Sequence, residues 1–328
     1  MRKFEITLSQ AIEGFILEKR AQQLRPQTLY NYKRALQRLF DCLPDDPFLN
    51  DVTSQQIVTF LADLGKKAVA PAGIAPRPAK PLSKKSLLNI HAALSSFWSW
   101  ATREGYADCH VIRAVPPPRP ERRVVVTFSQ DDVKRMMVAC ETSRSYSRPG
   151  KRECANARPT VLRDRAILLL LLDSGIRATE LCGLRLEHVD MKNRRVKIFG
   201  KGSKERIVRV GRRTTKAIWR YLTARPDARP SDPLFVATGE VNQPMTRSSL
   251  YRLVRRLGDR AGVVPAAYPH RFRHTFAVNF LRNGGDVFSL QSLLGHSSLE
   301  MVHRYVALAQ TDTENAHRRA SPVDNWRL

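Results

Sequence analysis

No apolar run in this sequence is long enough to cross a bilayer. The longest unbroken one, Ala166 to Leu172, has seven residues, against the ~20 that a spanning helix needs. The N-terminus, "MRKFEITLSQAIEGF", turns amphipathic at once and lacks the apolar block of a secretion signal, so a cytoplasmic protein with no membrane partner is expected. The five cysteines, Cys42, Cys109, Cys140, Cys154 and Cys182, are odd in number, scattered, and form no C-x-x-C pair. That pattern points to neither a disulfide framework nor a zinc knuckle. There is no acidic cluster of metal-binding type, no Walker loop and no G-x-G-x-x-G, so neither a metal nor an organic cofactor is expected. Acidic residues are scarce: 30 Asp and Glu stand against 56 Lys and Arg, a formal charge of +26. A positive excess of that size with ordinary hydrophobic content points to a polyanionic partner, and nucleic acid fits better than a membrane surface.

A length of 328 residues exceeds what one core usually serves, so two domains are expected. Apolar residues recur at helical spacing in four early stretches: Leu8, Ile12, Phe15 and Ile16; Leu29, Tyr32, Leu36, Leu39 and Leu43; Ile57, Phe60, Leu61 and Leu64; and Leu87, Ile90, Leu94, Phe97 and Trp98. Thr53 with Gln56 resembles a capping box ahead of the third. These predict a four-helix domain over residues 1–115, with a proline- and lysine-rich basic insertion at 66–82. A connector at 116–126 follows, its consecutive prolines unable to continue a helix. Two domains on a basic connector suit a clamp around a duplex. The second domain, 127–328, opens with a helix capped near Ser129 and carries another basic insertion, 143–160. It continues with the helix "LRDRAILLLLLDSG" and a short helix from Thr179. The runs "RRVKIFG" and "ERIVRVG" face each other across "KGSK" as a hairpin; most of the remainder reads as helical.

Several polar residues stand out against this scaffold. Arg177 follows a glycine at a helix end, with Glu180 one turn later: a braced arginine offers a planar fork to a phosphate, although a capping salt bridge is a common alternative. Lys201, at the glycine-flanked hairpin tip, can reach a phosphate or donate a proton, or simply be solvated. In "YPHRFRHTFA", Pro269 starts a helix and His270 and Arg273 share a face near its positive end, where a solvated basic face is the competing reading. Gly295-His296 breaks one helix ahead of the next. That next helix carries Leu299, Val302 and Val306 on one face and ends on Tyr305, whose ring has an ordinary packing role as its plain alternative.

Taken together, Arg177, Lys201, His270, Arg273, His296 and Tyr305, in that order, resemble the active-site set of the tyrosine recombinases, the lambda-integrase family, with Xer-like enzymes and mobile-element integrases among its members. "GIRATELCGLR", "GKGSKER", "HRFRHTFA", "LLGHSS" and the tyrosine resemble its signature boxes, and the steps of 26 residues from His270 to His296 and nine to Tyr305 fit its register. The resemblance implies a mainly α protein: a four-helix SAM-like core-binding domain, then a mixed α/β, mostly helical catalytic domain with a small antiparallel sheet. It implies that Tyr305 attacks a DNA phosphodiester to form a 3′-phosphotyrosyl link, with Arg177 and Arg273 clamping the non-bridging oxygens. By resemblance Lys201 is the general acid, with Lys204 as a rival, His270 assists Tyr305 as base, His296 hydrogen-bonds the phosphate, and Glu180 supports the arginine without touching substrate. Implied partners are double-stranded DNA, three further copies or a partner recombinase in a tetramer, and accessory DNA-bending or directionality proteins. The last segment would pack into a neighbouring protomer, and the protein would be cytoplasmic and nucleoid-associated. Integration or excision of a mobile element through a Holliday junction is the expected task. A type IB topoisomerase-like enzyme and a non-catalytic DNA-binding regulator are the alternatives.

Overall fold

The structure is a computed structural model, and it describes residues 5–66, 81–121, 125–142, 156–200, 205–238, 242–295, 300–309 and 321. The chain divides into two compact units, Met1–Arg123 and Val124–Leu328.

Among the described residues the first unit holds four α-helices, α1 (Leu8–Ala21), α2 (Pro26–Phe40), α3 (Ser54–Lys66) and α4 (Lys84–Arg103). Their starts are written in the sequence. The Thr7 hydroxyl accepts from the Gln10 backbone while the Gln10 side chain returns to the Thr7 backbone, a capping box at α1. Pro26 opens α2, where a missing N–H costs nothing. Thr53 and Gln56 form the reciprocal pair predicted ahead of α3, and Ser83 caps α4. The buried faces of all four meet in one core. At its centre the Phe15 ring stands edge-on to Tyr32 and Phe97, with centroids 5.3 and 5.5 Å away.

The second unit contains α5 (Gln130–Ala139), α6 (Val161–Ser174), α7 (Ala178–Cys182), strands β1 (Val189–Asp190), β2 (Arg195–Phe199) and β3 (Glu205–Arg209), then α8 (Arg212–Thr223), α9 (Arg247–Arg260), α10 (Pro269–Arg282), α11 (Val287–Leu294) and α12 (Glu300–Ala309). The longest apolar run becomes the central helix: α6 packs against both α8 and α10, and Ala166, Ile167, Leu168, Leu170 and Leu171 are all buried. Asp164 lies within it, fully buried, and is neutralised by Arg158 at 2.6 Å and Arg163 at 2.9 Å.

The two β-branched runs form the expected hairpin, with Phe199 opposite Glu205, and Val196, Ile198 and Val208 point inward by the period of two. A third strand, β1, adds antiparallel to β2, so the sheet is a three-stranded meander, mixed into a mostly helical protein as the fold class required. The sequence also suggested that Tyr305 closes its helix. Instead α12 runs on to Ala309, because Val306 and Leu308 continue the apolar face that Val302 begins. No helix among the described residues is long and apolar enough to cross a membrane.

Candidate active site

The site forms where α6, α7, α10, α11, α12 and β3 meet. Gly175 ends α6 in the left-handed conformation, φ 58°, and a side chain there would meet Phe276 and Leu294 at 2.5 and 2.9 Å. This turn delivers Arg177 to the start of α7 (Ala178–Cys182). The Arg177 backbone N–H donates to Glu180 Oε2 at 2.9 Å and Nη1 to Oε1 at 2.8 Å. Its Nη2 donates to the Gly295 carbonyl at 3.0 Å, and its side chain stays 34% exposed, open to an incoming anion.

Glu180 has a second cationic partner that was not singled out in the sequence. Arg206, on β3, donates to both carboxylate oxygens, at 2.9 and 2.7 Å. Burial alone would raise the Glu180 pKa, but hydrogen bonds and charge from Arg206 and Arg177 prevail and take it down to about 2. Glu180 is therefore an anion at neutral pH.

Pro269 starts α10, and the run "HRFRH" divides by helical period. Arg271 turns away from the site: its guanidinium lies 4.1 Å from the Phe128 ring centroid and donates to the carbonyls of Thr127 and Pro265. Arg273 turns inward and is 1% exposed, donating to Gly175 O and Leu294 O, both at 2.8 Å. Desolvation, with Arg177 nearby, lowers its pKa to about 10, which leaves it cationic at neutral pH.

Tyr305 lies in the apolar cluster shared by α10, α11 and α12, 5% exposed. Its hydroxyl shares a hydrogen bond with His274 Nδ1 at 2.9 Å. By resemblance His270 assists Tyr305 as base, which makes the identity of the hydrogen-bonded histidine of interest. In the structure His274, one turn further along α10, makes the bond, and His270 meets His274 edge-to-face with ring centroids 4.7 Å apart. Desolvation, then His270 and Arg273, lower the His274 pKa to about 4. His270 is lowered in the same way by desolvation, Arg273 and Arg177. Burial raises Tyr305 above the ordinary phenol value, against the pull of Arg273, Arg304 and Arg177. A protonated phenol thus faces a neutral imidazole near the buried guanidinium of Arg273.

Arg177, Glu180, Arg273 and Tyr305 are brought together, with His270 beside them through His274. Lys201, Lys204 and His296 lie outside the described residues, as do most of both basic insertions and, of the segment after Tyr305, everything beyond Ala309 except Ser321. Arg206 and His274 were inside quoted motifs and went unassigned. The signal for His274 was its i+4 spacing from His270; nothing local marked Arg206.

A mainly helical, two-unit fold that buries a tyrosine among arginines and histidines is that of the tyrosine recombinases, and sequence comparison carries the class further. The chain belongs to the phage integrase family: the phage integrase family matches residues 127–312, and the phage integrase N-terminal SAM-like domain matches residues 14–105. It is 30% identical over 309 residues to the tyrosine recombinase XerD of Mycobacterium tuberculosis, covering 91% of this chain and 93% of that one. It is 34% identical over 233 residues to XerC of Thermodesulfovibrio yellowstonii, covering 69% and 72%. The fold is similar to that of the chain in a crystal structure of a lambda integrase dimer bound to a COC′ core site, at a TM-score of 0.69 and 17% identity, over 92% of this chain and 78% of the other.

Proposed function

We propose that this recombinase breaks and rejoins double-stranded DNA at specific sites through a 3′-phosphotyrosyl intermediate on Tyr305. The observation that carries the reading is the Tyr305 hydroxyl, buried and hydrogen-bonded to a neutral histidine, on a helix packed against the one that bears Arg273. The Tyr305 oxygen attacks the phosphorus and the bond to the 5′ oxygen breaks. The phenolic proton passes to histidine, through His274 or with help from His270, and a proton from Lys201, or from its rival Lys204, goes to the departing 5′ oxygen. Arg177 and Arg273 neutralise the non-bridging oxygens as charge builds, where losing a preorganised donor typically costs about 3 kcal/mol. His296 adds a hydrogen bond to the phosphate, and Glu180 holds Arg177. Phenoxide is a good leaving group, so the link preserves the bond energy for the return step, attack by a 5′-hydroxyl from the exchanged strand.

Two rounds of such exchange, by four protomers or with a partner recombinase, pass through a Holliday junction. The segment after Tyr305 links neighbouring copies, accessory DNA-bending or directionality proteins assist, and the work is done on nucleoid DNA in the cytoplasm. The integration or excision of a mobile element is the task we assign. Chromosome-dimer resolution is the second reading, favoured by the similarity to XerC and XerD.

The test is to incubate the protein with sheared, nicked DNA spanning its own gene and flanks, denature in detergent, and sequence the fragments that stay attached. Attachment that requires Tyr305 and clusters at one or two loci is expected. Attachment spread over all sequences would instead indicate a topoisomerase-like enzyme, and attachment equal in Tyr305→Phe would overturn the assignment of the nucleophile.

A further inference from the structure

The end of α11 (Val287–Leu294) does more than close a helix. The last carbonyls of a helix lack intrahelical donors and sit at the negative end of its dipole. Here three successive ones each accept from a different guanidinium: Leu293 O from Arg206 Nε at 2.9 Å, Leu294 O from Arg273 Nη2 at 2.8 Å, and Gly295 O from Arg177 Nη2 at 3.0 Å. The three arginines come from β3, from α10 and from the turn before α7, and the end of α11 is common to all of them.

Arg206 is the member to which the reaction has so far given no part. Its side chain is 12% exposed, so it is no solvated surface cation. It spans two anchors at once, with Nε on the Leu293 carbonyl and both terminal nitrogens on Glu180, the same carboxylate that grips Arg177. Only a planar fork with donors in fixed directions can do this, whereas a lysine is a point charge. Gly295 closes α11 in the left-handed conformation, φ 62°, and its Cα lies so close to the cluster that a Cβ would touch Arg206 Nη1 at 3.4 Å and Arg177 Nη1 at 3.7 Å, in ordinary contact. Three like charges repel, and the Glu180 carboxylate and the carbonyl dipoles offset that repulsion in one fixed arrangement.

We infer that Arg206 is a positioning residue for strand cleavage: by locking Glu180 to the end of α11 it sets where Arg177 and Arg273 present their guanidinium groups. The inference rests on the reading of the site given above. Two measurements on the full chain test it. The first is NMR of the arginine Nε–H groups in Arg206→Gln and Arg206→Lys, with no DNA present. Arg177 and Arg273 shift and exchange with water severalfold faster, while Arg271, held by Thr127 and Pro265, keeps its resonance and reports that the fold is intact. The second is single-turnover cleavage of a nicked duplex bearing the site recovered with the wild-type protein. Both variants cleave about 100-fold more slowly with DNA affinity within about threefold, and lysine does not rescue. Unmoved Arg177 and Arg273 resonances overturn the inference, and so does wild-type cleavage by Arg206→Lys, because charge alone would then suffice. If wild-type protein and Tyr305→Phe alike attach no DNA, the reading of the site falls while the NMR result still decides the role of Arg206.

Discussion

At neutral pH the hydrogen bond between His274 and Tyr305 joins two uncharged groups, because burial lowers the histidine and raises the tyrosine. This has a consequence for stability. The unfolded chain takes a proton on His274 as pH falls through its ordinary value of 6.5, and the folded chain does so only near 4. The folded state therefore loses stability across that window, by at most about 3 kcal/mol from this group, and His270 adds in the same direction. Glu180 acts in a lower window: its stabilisation is complete above 4.5 and fades as pH falls towards 2. Thermal melts from pH 7 to 4.5 should show a falling Tm for the wild type and a flatter curve for His274→Asn; equal slopes would remove the argument. Arg177, Arg273 and Tyr305 were legible as candidates because each sits in a local motif. Of the parts that hold them, Glu180 was legible and the rest were not. The link from Arg206 to Glu180 crosses 26 residues, and the Gly175, Leu294 and Gly295 carbonyls that receive guanidinium groups are backbone atoms, which leave no mark on residue identity.

Among the elements, the turn that ends α6 controls the site most directly. Gly175 is left-handed, its missing side chain is what lets Phe276 and Leu294 close over it, and its carbonyl holds Arg273. Gly175→Ala should cost about 2–4 kcal/mol, from backbone strain and overpacking together. Gly262→Ala is the matched control, because φ is 62° with nothing within 4 Å, so strain alone should cost about 1 kcal/mol. Urea unfolding of the two variants separates the contributions, and equal losses would mean that the packing around Gly175 yields freely. The same comparison shows which elements the sequence made legible. Helix starts at Thr53 and Ser129 were readable because capping is a contact between near neighbours. β1 escaped notice: its two residues carry no pattern, and only pairing with β2 makes them a strand. The run of "HRFRH" had the look of one basic face, and the structure divides it because α10 is packed on both sides of its first turn.

For the whole molecule, the net charge of +26 predicts binding governed by counterion release. If about six phosphates are neutralised, log affinity for a random duplex should fall against log salt with a slope near −5, which anisotropy titrations would measure; a slope shallower than about −2 would assign the charge to something other than DNA. The division into two units predicts a second behaviour. Among the described residues each unit has core clusters of its own, one in the first and two in the second, so the two are predicted to unfold separately. The tryptophans can tell them apart. Trp98 and Trp100 are buried in the first unit; in the second, Trp219 is 57% exposed, and Trp326, which lies outside the described residues, is removed as Trp326→Phe. Trp fluorescence should therefore follow mainly the first unit, while far-UV circular dichroism records the helices of both. Denaturant curves from the two probes should not coincide, and a fragment of residues 1–123 should reproduce the fluorescence transition of the full chain within about 1 kcal/mol, the scale on which a weak contact between domains would register. Coincident curves, with a fragment that melts earlier, would show instead that the units stabilise one another, and the DNA grip would then have to be treated as the property of a single body.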